Sequence, residues 1–169
     1  MQTIEAIKTR RSIRNYRDEK VSDAKIMELL EAAMYAPSAG NQQPWHFIVV
    51  TKKELLVEIA EVHPYGKMAA MAPLAILVCC DKDLDKHTGF WVQDCSAATQ
   101  NLLLAAHALE LGAVWVGVYP REDRINSMQK IFNLPERIIP LNVVVIGYPA
   151  KGTQTAQRFK EERVHSNSW

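Results

Sequence analysis

The sequence is poor in most features that would mark a specialised chain. It has no excess of charge: 20 Lys and Arg stand against 19 Asp and Glu in 169 residues, a formal net charge of +1. A general polyanion binder carries a large basic surplus, so nucleic acid is not an expected partner. No apolar run approaches the ~20 residues that a membrane-spanning helix needs, so no membrane role is expected. Met1 to Arg14 holds no apolar block of the signal-peptide kind. Cysteine is scarce and odd in number, at three. Cys79 and Cys80 are adjacent and would point to opposite faces of a strand, and Cys95 is remote from both. This excludes a disulfide framework and a cysteine zinc site, and points to free thiols in a reducing cytoplasm. Seven Gly and eight Pro rule out a low-complexity or collagen-like chain. There is no phosphate-cradling Gly-rich loop, no dinucleotide fingerprint and no nucleophile elbow. His46, His63, His87, His107 and His165 show no metal-ligand spacing, so no metal site is expected and these read as core or surface histidines.

What is present suits one globular domain over residues 1–169, because 48% of the residues are hydrophobic and the length is that of a single domain. Residues 2–9 read as a short helix with Ile4 and Ile7 on one side. Ser22 can cap a helix running to about Tyr35, whose apolar residues Ile26, Met27, Leu29, Leu30, Ala33 and Met34 recur at helical spacing. His46 to Thr51, Leu74 to Cys80, Ala113 to Tyr119 and Asn142 to Tyr148 read as strands, the second as a central one. Helices are expected over Lys53 to Glu61 and Arg121 to Phe132. The longest helix, residues 90–111, should end at Gly112 as its C-cap. Ala97, Ala98, Leu102, Leu103, Ala105, Ala106 and Leu109 make that helix apolar on nearly every side, which suggests that a subunit interface covers part of it. Four strands interleaved with helices make an α/β or α+β domain.

Three stretches carry candidate chemistry. In Arg10-Arg11-Ser12-Ile13-Arg14 an extended backbone would put Arg10, Ser12 and Arg14 on one face, over a span of about 13 Å. Such a face could track a phosphorylated ligand, or the stretch could be an ordinary solvated basic segment. The loop Ala36 to Pro44 is dense in small residues and offers Asn41 and Gln43 as amide partners, with Trp45 following it either as an aromatic wall or as core. Gly117, inside the strand pattern Val114-Trp115-Val116-Gly117-Val118, marks either close approach of a ligand or a bulge. Asp94, in the long helix, reads as a buried capping or pairing carboxylate before a catalytic one.

In this order, RRSIRNY, APSAGNQQPWHF, DCSAATQNLLLAAHALELGAVWVG and the tail ending RFKEERVHSNSW resemble the FMN-dependent nitroreductase family in its short form, over about Ile4 to Trp169. The resemblance implies an α+β fold with a central, mostly antiparallel sheet of four to five strands flanked by helices. It implies an intertwined homodimer with FMN at the subunit interface and the C-terminal tail reaching over the partner. It places Arg10, Ser12 and Arg158 at the FMN phosphate, with Arg11 among the cofactor-binding residues. Arg14 falls at the pyrimidine side of the ring, where it would stabilise the charge of the reduced flavin and is the candidate catalytic residue. Pro37, Ser38, Asn41 and Gln43 would come from the other subunit. Gly117 would lie beside the ring, with the amides of Val116 and Val118. One basic residue of the family's tail is missing at Ala156, which Lys160 could replace.

The implied activity is ping-pong reduction of nitroaromatics, quinones or related small acceptors with NADH or NADPH. It needs no protein acid or base. Enone reduction, dehalogenation or flavin degradation on the same fold is the alternative, as is a flavin-binding module without turnover.

Overall fold

The computed structural model describes residues 2–152 and 156–169. Thr3–Thr9 forms helix α1, and Arg10 leaves it with extended backbone. Helix α2, Asp23–Met34, begins where the Ser22 hydroxyl accepts the Lys25 N–H. Strand β1 is Trp45–Val50, helix α3 is Lys53–Val62 and strand β2 is Leu74–Asp81. Helix α4, Trp91–Ala108, leads into β3, Gly112–Gly117. Helix α5, Glu122–Phe132, precedes β4, Ile138–Gly147. Short 3-10 turns cover Ala39–Asn41, Lys67–Met71 and Glu161–Arg163.

The strands form one antiparallel sheet in the order β1-β2-β4-β3. Every residue of β2 is buried, as expected of an unbroken apolar run in a central strand. Leu74, Ile76, Val78 and Cys80 face a core shared with α2 and α4, whereas Ala75, Leu77 and Cys79 face a second core shared with α3 and α5. The domain is therefore three layers with an α+β connectivity. Cys79 and Cys80 do point to opposite faces, and all three thiols are free and buried. Burial, helped by the neighbouring Cys80, pushes the Cys79 thiol up to about 12. No helix among the described residues is long and apolar enough to cross a membrane.

Two expectations shift. Gly112 does not end the long helix. Glu110 adopts the left-handed conformation at φ 63°, with Glu110 N–H bonded to His107 O and Leu111 N–H to Ala106 O, the paired bonds of a helix C-terminus. Gly112 opens β3 instead, and it is glycine because a Cβ there would sit 2.7 Å from Ile13 Cβ. The last strand starts four residues earlier than its apolar pattern indicates. Pro140 interrupts the pattern, and it is accommodated at a bulge where Val78 faces Asn142 and Cys79 faces Pro140.

Part of the apolar surface of α1 and α2 stays uncovered. Ile4 and Ile7 on α1 and Met27 and Met34 on α2 are exposed, while Ile26, Leu29 and Ala33 are buried. The outer face of α4 is only half covered, by small residues such as Ala97 and Ala105. The tail from residue 156 onward is exposed throughout, Phe159 and Trp169 included. Residues 153–155 of the expected tail segment lie outside the described residues.

Replacing Gly112 by Ala should destabilise the protein by about 1–3 kcal/mol, because its methyl group meets a β-branched carbon in a packed layer. Replacing Gly117 by Ala should change stability by less than about 0.5 kcal/mol, since nothing lies within 4 Å of the added carbon. Urea denaturation of the two variants checks the contrast.

Candidate functional site

The site is organised by the outer edge of β3. Ser12 pairs with Ala113 in a parallel bridge, and Ile13 N–H donates to Ala113 O at 3.0 Å. On the inner edge, Val118 N–H donates to Leu141 O, also at 3.0 Å. Because ladder groups alternate in direction, residues 113, 115 and 117 turn their N–H and C=O outward, and 114, 116 and 118 turn theirs toward β4. Beyond Ala113 the edge is open at Trp115 and Gly117.

The extended segment after α1 runs along this edge. Its far end is pinned by the Tyr16 hydroxyl, which lies 2.6 Å from Ile13 O and 3.0 Å from Val145 O. Burial raises the Tyr16 phenol above its ordinary value, against the field of Arg14. At the other end Arg11 donates to Lys8 O and Arg10 O. Arg10 is held below the usual guanidinium value by partial burial and by the charges of Arg158 and Arg11. Three guanidinium groups thus gather close enough to repel one another, an arrangement that an anion would relieve.

Three cavities adjoin here. One of about 540 Å³ is lined by Lys8, Arg11, Arg158 and Phe159. The next, about 500 Å³, is lined by Arg11, Ser12, Arg14 and Lys151. The last, about 360 Å³, is lined by Arg14, Tyr65, Lys67, Met68, Trp115 and Val116. Arg11 borders the first two and Arg14 the last two, so the three lie side by side as a segmented trough, cationic at one end and walled by rings and β3 residues at the other.

Gly117 ends that wall. The space a Cβ would occupy is open, and the bulge of the sheet lies at Pro140 instead. The Gly117 carbonyl accepts from His63 Nε2 at 2.8 Å and from Arg124 Nη1 at 3.0 Å. His63 is buried, and Tyr65 N–H donates to its Nδ1 at 3.2 Å. Burial lowers the His63 pKa despite the Gly117 bond. His107, 2.8 Å from the Thr9 hydroxyl, is likewise lowered by burial and by Arg10 and Arg11.

The Ala36 to Pro44 loop is elsewhere. It leads into β1, the opposite edge strand, so in one chain it stands roughly three strand spacings, ~14 Å, from β3. Gly40, Asn41 and Gln43 all adopt left-handed backbone, at φ 53°, 55° and 46°. Buried Asp94 holds the loop by accepting Ala39 N–H at 3.0 Å and Gln42 Nε2 at 2.6 Å. Ser38 Oγ accepts Gln43 N–H at 3.0 Å. Trp45 is core. Asn41 and Gln43 line a separate groove of about 640 Å³ with Met27, Leu30, Met34 and Tyr35, while Pro37 is exposed at its margin.

Arg11, Ser12, Arg14, Val116 and Arg158 thus line this row of cavities, and Gly117 follows Val116 at the end of β3. Arg10 lines a neighbouring cavity of about 250 Å³ with Arg11, Ile13 and His107, and Pro37, Ser38, Asn41 and Gln43 lie elsewhere. The expected amide contacts at Val116 and Val118 need correction. Val118 N–H is bonded to Leu141, and the alternation turns the Val116 amide inward as well, which leaves the Gly117 and Trp115 amides on the open edge. Sequence reasoning also missed Tyr65, Lys67 and Lys151. Only the turn signal of Pro64-Tyr65-Gly66 could have drawn attention to the first two.

The sequence profile of the nitroreductase family matches residues 7–64 and 60–148. A protein of Methanothermobacter thermautotrophicus, provisionally named NADH dehydrogenase/NAD(P)H nitroreductase, is 55% identical over 169 residues, covering 100% of this chain and 88% of its own. A crystal structure of a protein of the same provisional name from Parabacteroides distasonis superposes with TM-score 0.96 at 43% identity, covering 100% and 99% of the two chains. A protein of Desulfovibrio desulfuricans, provisionally named a nitroreductase and solved in complex with FMN, matches at TM-score 0.86 and 34% identity, covering 100% and 98%. The chain belongs to the nitroreductase family.

Because the native state favours neutral His63 and His107, their contribution to stability is complete above about pH 6.5 and is lost as pH falls through their lower native values. The urea midpoint should fall between pH 7 and 5, and His63→Gln with His107→Gln should flatten that fall. An unchanged profile would refute the assignment. Asp94→Ala should cost about 1–3 kcal/mol by stranding two donors, and amide exchange in residues 38–43 should accelerate.

Proposed function

We propose that this chain is an NAD(P)H-dependent FMN oxidoreductase that reduces nitroaromatics, quinones or related small electron-poor acceptors, acting as a single-domain subunit of a cytoplasmic homodimer. The observation that carries this reading is the trough, with clustered guanidinium groups at one end and an open strand edge, free of side chain at Gly117, at the other. An anion with a flat ring system matches both ends, and the residues present therefore fit FMN. Arg10, Arg11, Ser12 and Arg158 would hold the phosphate through charge-assisted bonds. Arg14, between the two inner cavities, would face the pyrimidine edge of the ring, and Val116 and Gly117 would border it.

FMN, when bound, supplies the hydride acceptance from NADH or NADPH and the electron transfer to the acceptor. Arg14 then offers a fixed positive charge where the ring becomes electron-rich, which is preorganised electrostatic stabilisation. The open trough leaves the stacking position to nicotinamide and acceptor in turn, a ping-pong sequence. The site in one chain lacks the Pro37, Ser38, Asn41 and Gln43 contribution. The uncovered Ile4, Ile7, Met27 and Met34 and the exposed tail supply a surface for a second copy to add it.

The test is the absorbance of the protein mixed with FMN, followed by anaerobic NADH. The expected result is stoichiometric flavin uptake, bleaching on NADH and recovery on adding a quinone or nitro compound. A chain that takes up no flavin contradicts the reading, and bound flavin with no NADH consumption would favour a module without turnover. Arg10→Ala or Arg158→Ala should weaken FMN binding by about 1.5–3 kcal/mol, and Arg14→Ala should slow flavin reduction more than it weakens binding.

A further inference from the structure

We propose that His63 and Arg124 are positioning residues that clamp the Gly117 carbonyl and thereby fix the Gly117 N–H at the ring end of the trough; this rests on the flavin reading above. Gly117 is the last residue of an edge strand and carries no side chain, so its backbone has more freedom than the residues between it and Gly112. Its outward carbonyl would ordinarily be left to water. Here it takes two side-chain donors from two different helical elements, His63 at the end of α3 and Arg124 on α5.

Both donors are themselves held. The Tyr65 N–H bonded to His63 Nδ1 leaves the ring proton on Nε2, aimed at the carbonyl. The Arg124 guanidinium carbon lies 5.4 Å from the centre of the Tyr65 ring, which adds a cation–π contact. Arg124 Nε is buried without a partner, so the guanidinium sits where the carbonyl needs it and not where its own donors would all be satisfied. The charged groups acting on His63 are Arg124 and Asp123, both from α5. The carbonyl gripped by His63 and Arg124 and the Val118 N–H bonded to Leu141 belong to one peptide unit, 117–118, which is thus held at both ends. The Gly117 N–H belongs to the preceding unit, which the pairing of Val116 with Val143 holds from its other side. The N–H on the open edge then keeps one direction, as a preorganised donor requires.

Long-range proton–nitrogen spectra of the full-length protein without FMN should show His63 as the neutral Nε2–H form, and the Nδ1–H form would overturn the clamp. With FMN, His63→Leu and Arg124→Leu should each weaken binding about fivefold, the effect of one lost hydrogen bond, and shift the long-wavelength flavin band and the midpoint potential. His63→Gln, whose side-chain amide can reach the same carbonyl, should stay within about twofold of the wild type. Wild-type affinity, spectrum and potential in His63→Leu, or in Arg124→Leu if His63→Leu does not fold, would overturn the clamp while leaving the flavin reading intact. Failure of the wild-type protein to take up FMN would overturn the flavin reading and the clamp with it.

Discussion

Ile13 donates its N–H to Ala113, and the pairing along that edge of the sheet ends there. Beyond it β3 runs open through Trp115 and Gly117, although a bare strand edge is ordinarily a liability for a soluble protein. The half-closed edge sets the rest of the site. It fixes the direction of Ser12 and Arg14, it turns the outward amides toward the ring end of the trough, and it requires Gly112 so that Ile13 can lie against the strand. The cationic end follows from the same segment, because α1 releases the chain at Arg10, within the field of Arg158, and Arg11 lines a cavity with Arg158.

The α-helical spacing of Ile26, Leu29 and Ala33 and the unbroken run of β2 were readable from sequence because one burial pattern generates each. The boundary errors have physical causes. Glu110 took the left-handed position that glycine would normally occupy, and Pro140 hid the start of β4 inside a bulge. The arginine segment was legible as an extended stretch, but not its facing: Arg11 shares a cavity with Ser12 and Arg14, while Arg10 lines another beside Ile13. Which amides border the site was not, since that depends on strand register and on which edge of β3 is outermost. His63 and Arg124 were invisible for a related reason: they are far apart in sequence and meet only at a backbone carbonyl.

On the proposed reading, one chain presents two halves of the site on opposite edges of the sheet. The trough along β3 lacks the Ser38 to Gln43 loop, and the loop, though rigidly held by Asp94, borders only the apolar groove on α2. Exposed Met27, Met34, Ile4 and Ile7 are unusual on a finished surface, and so is a tail whose Phe159 and Trp169 touch little of their own chain. Both are accounted for if burial of these residues and completion of the site are a single event, in which two copies exchange loop and trough.

Sedimentation equilibrium of the FMN-loaded protein, read at the flavin absorbance, tests that account most directly. It predicts a yellow particle of twice the 19.1 kDa chain mass with one flavin per chain. A yellow particle of single-chain mass, or a dimer that binds no flavin, would contradict it.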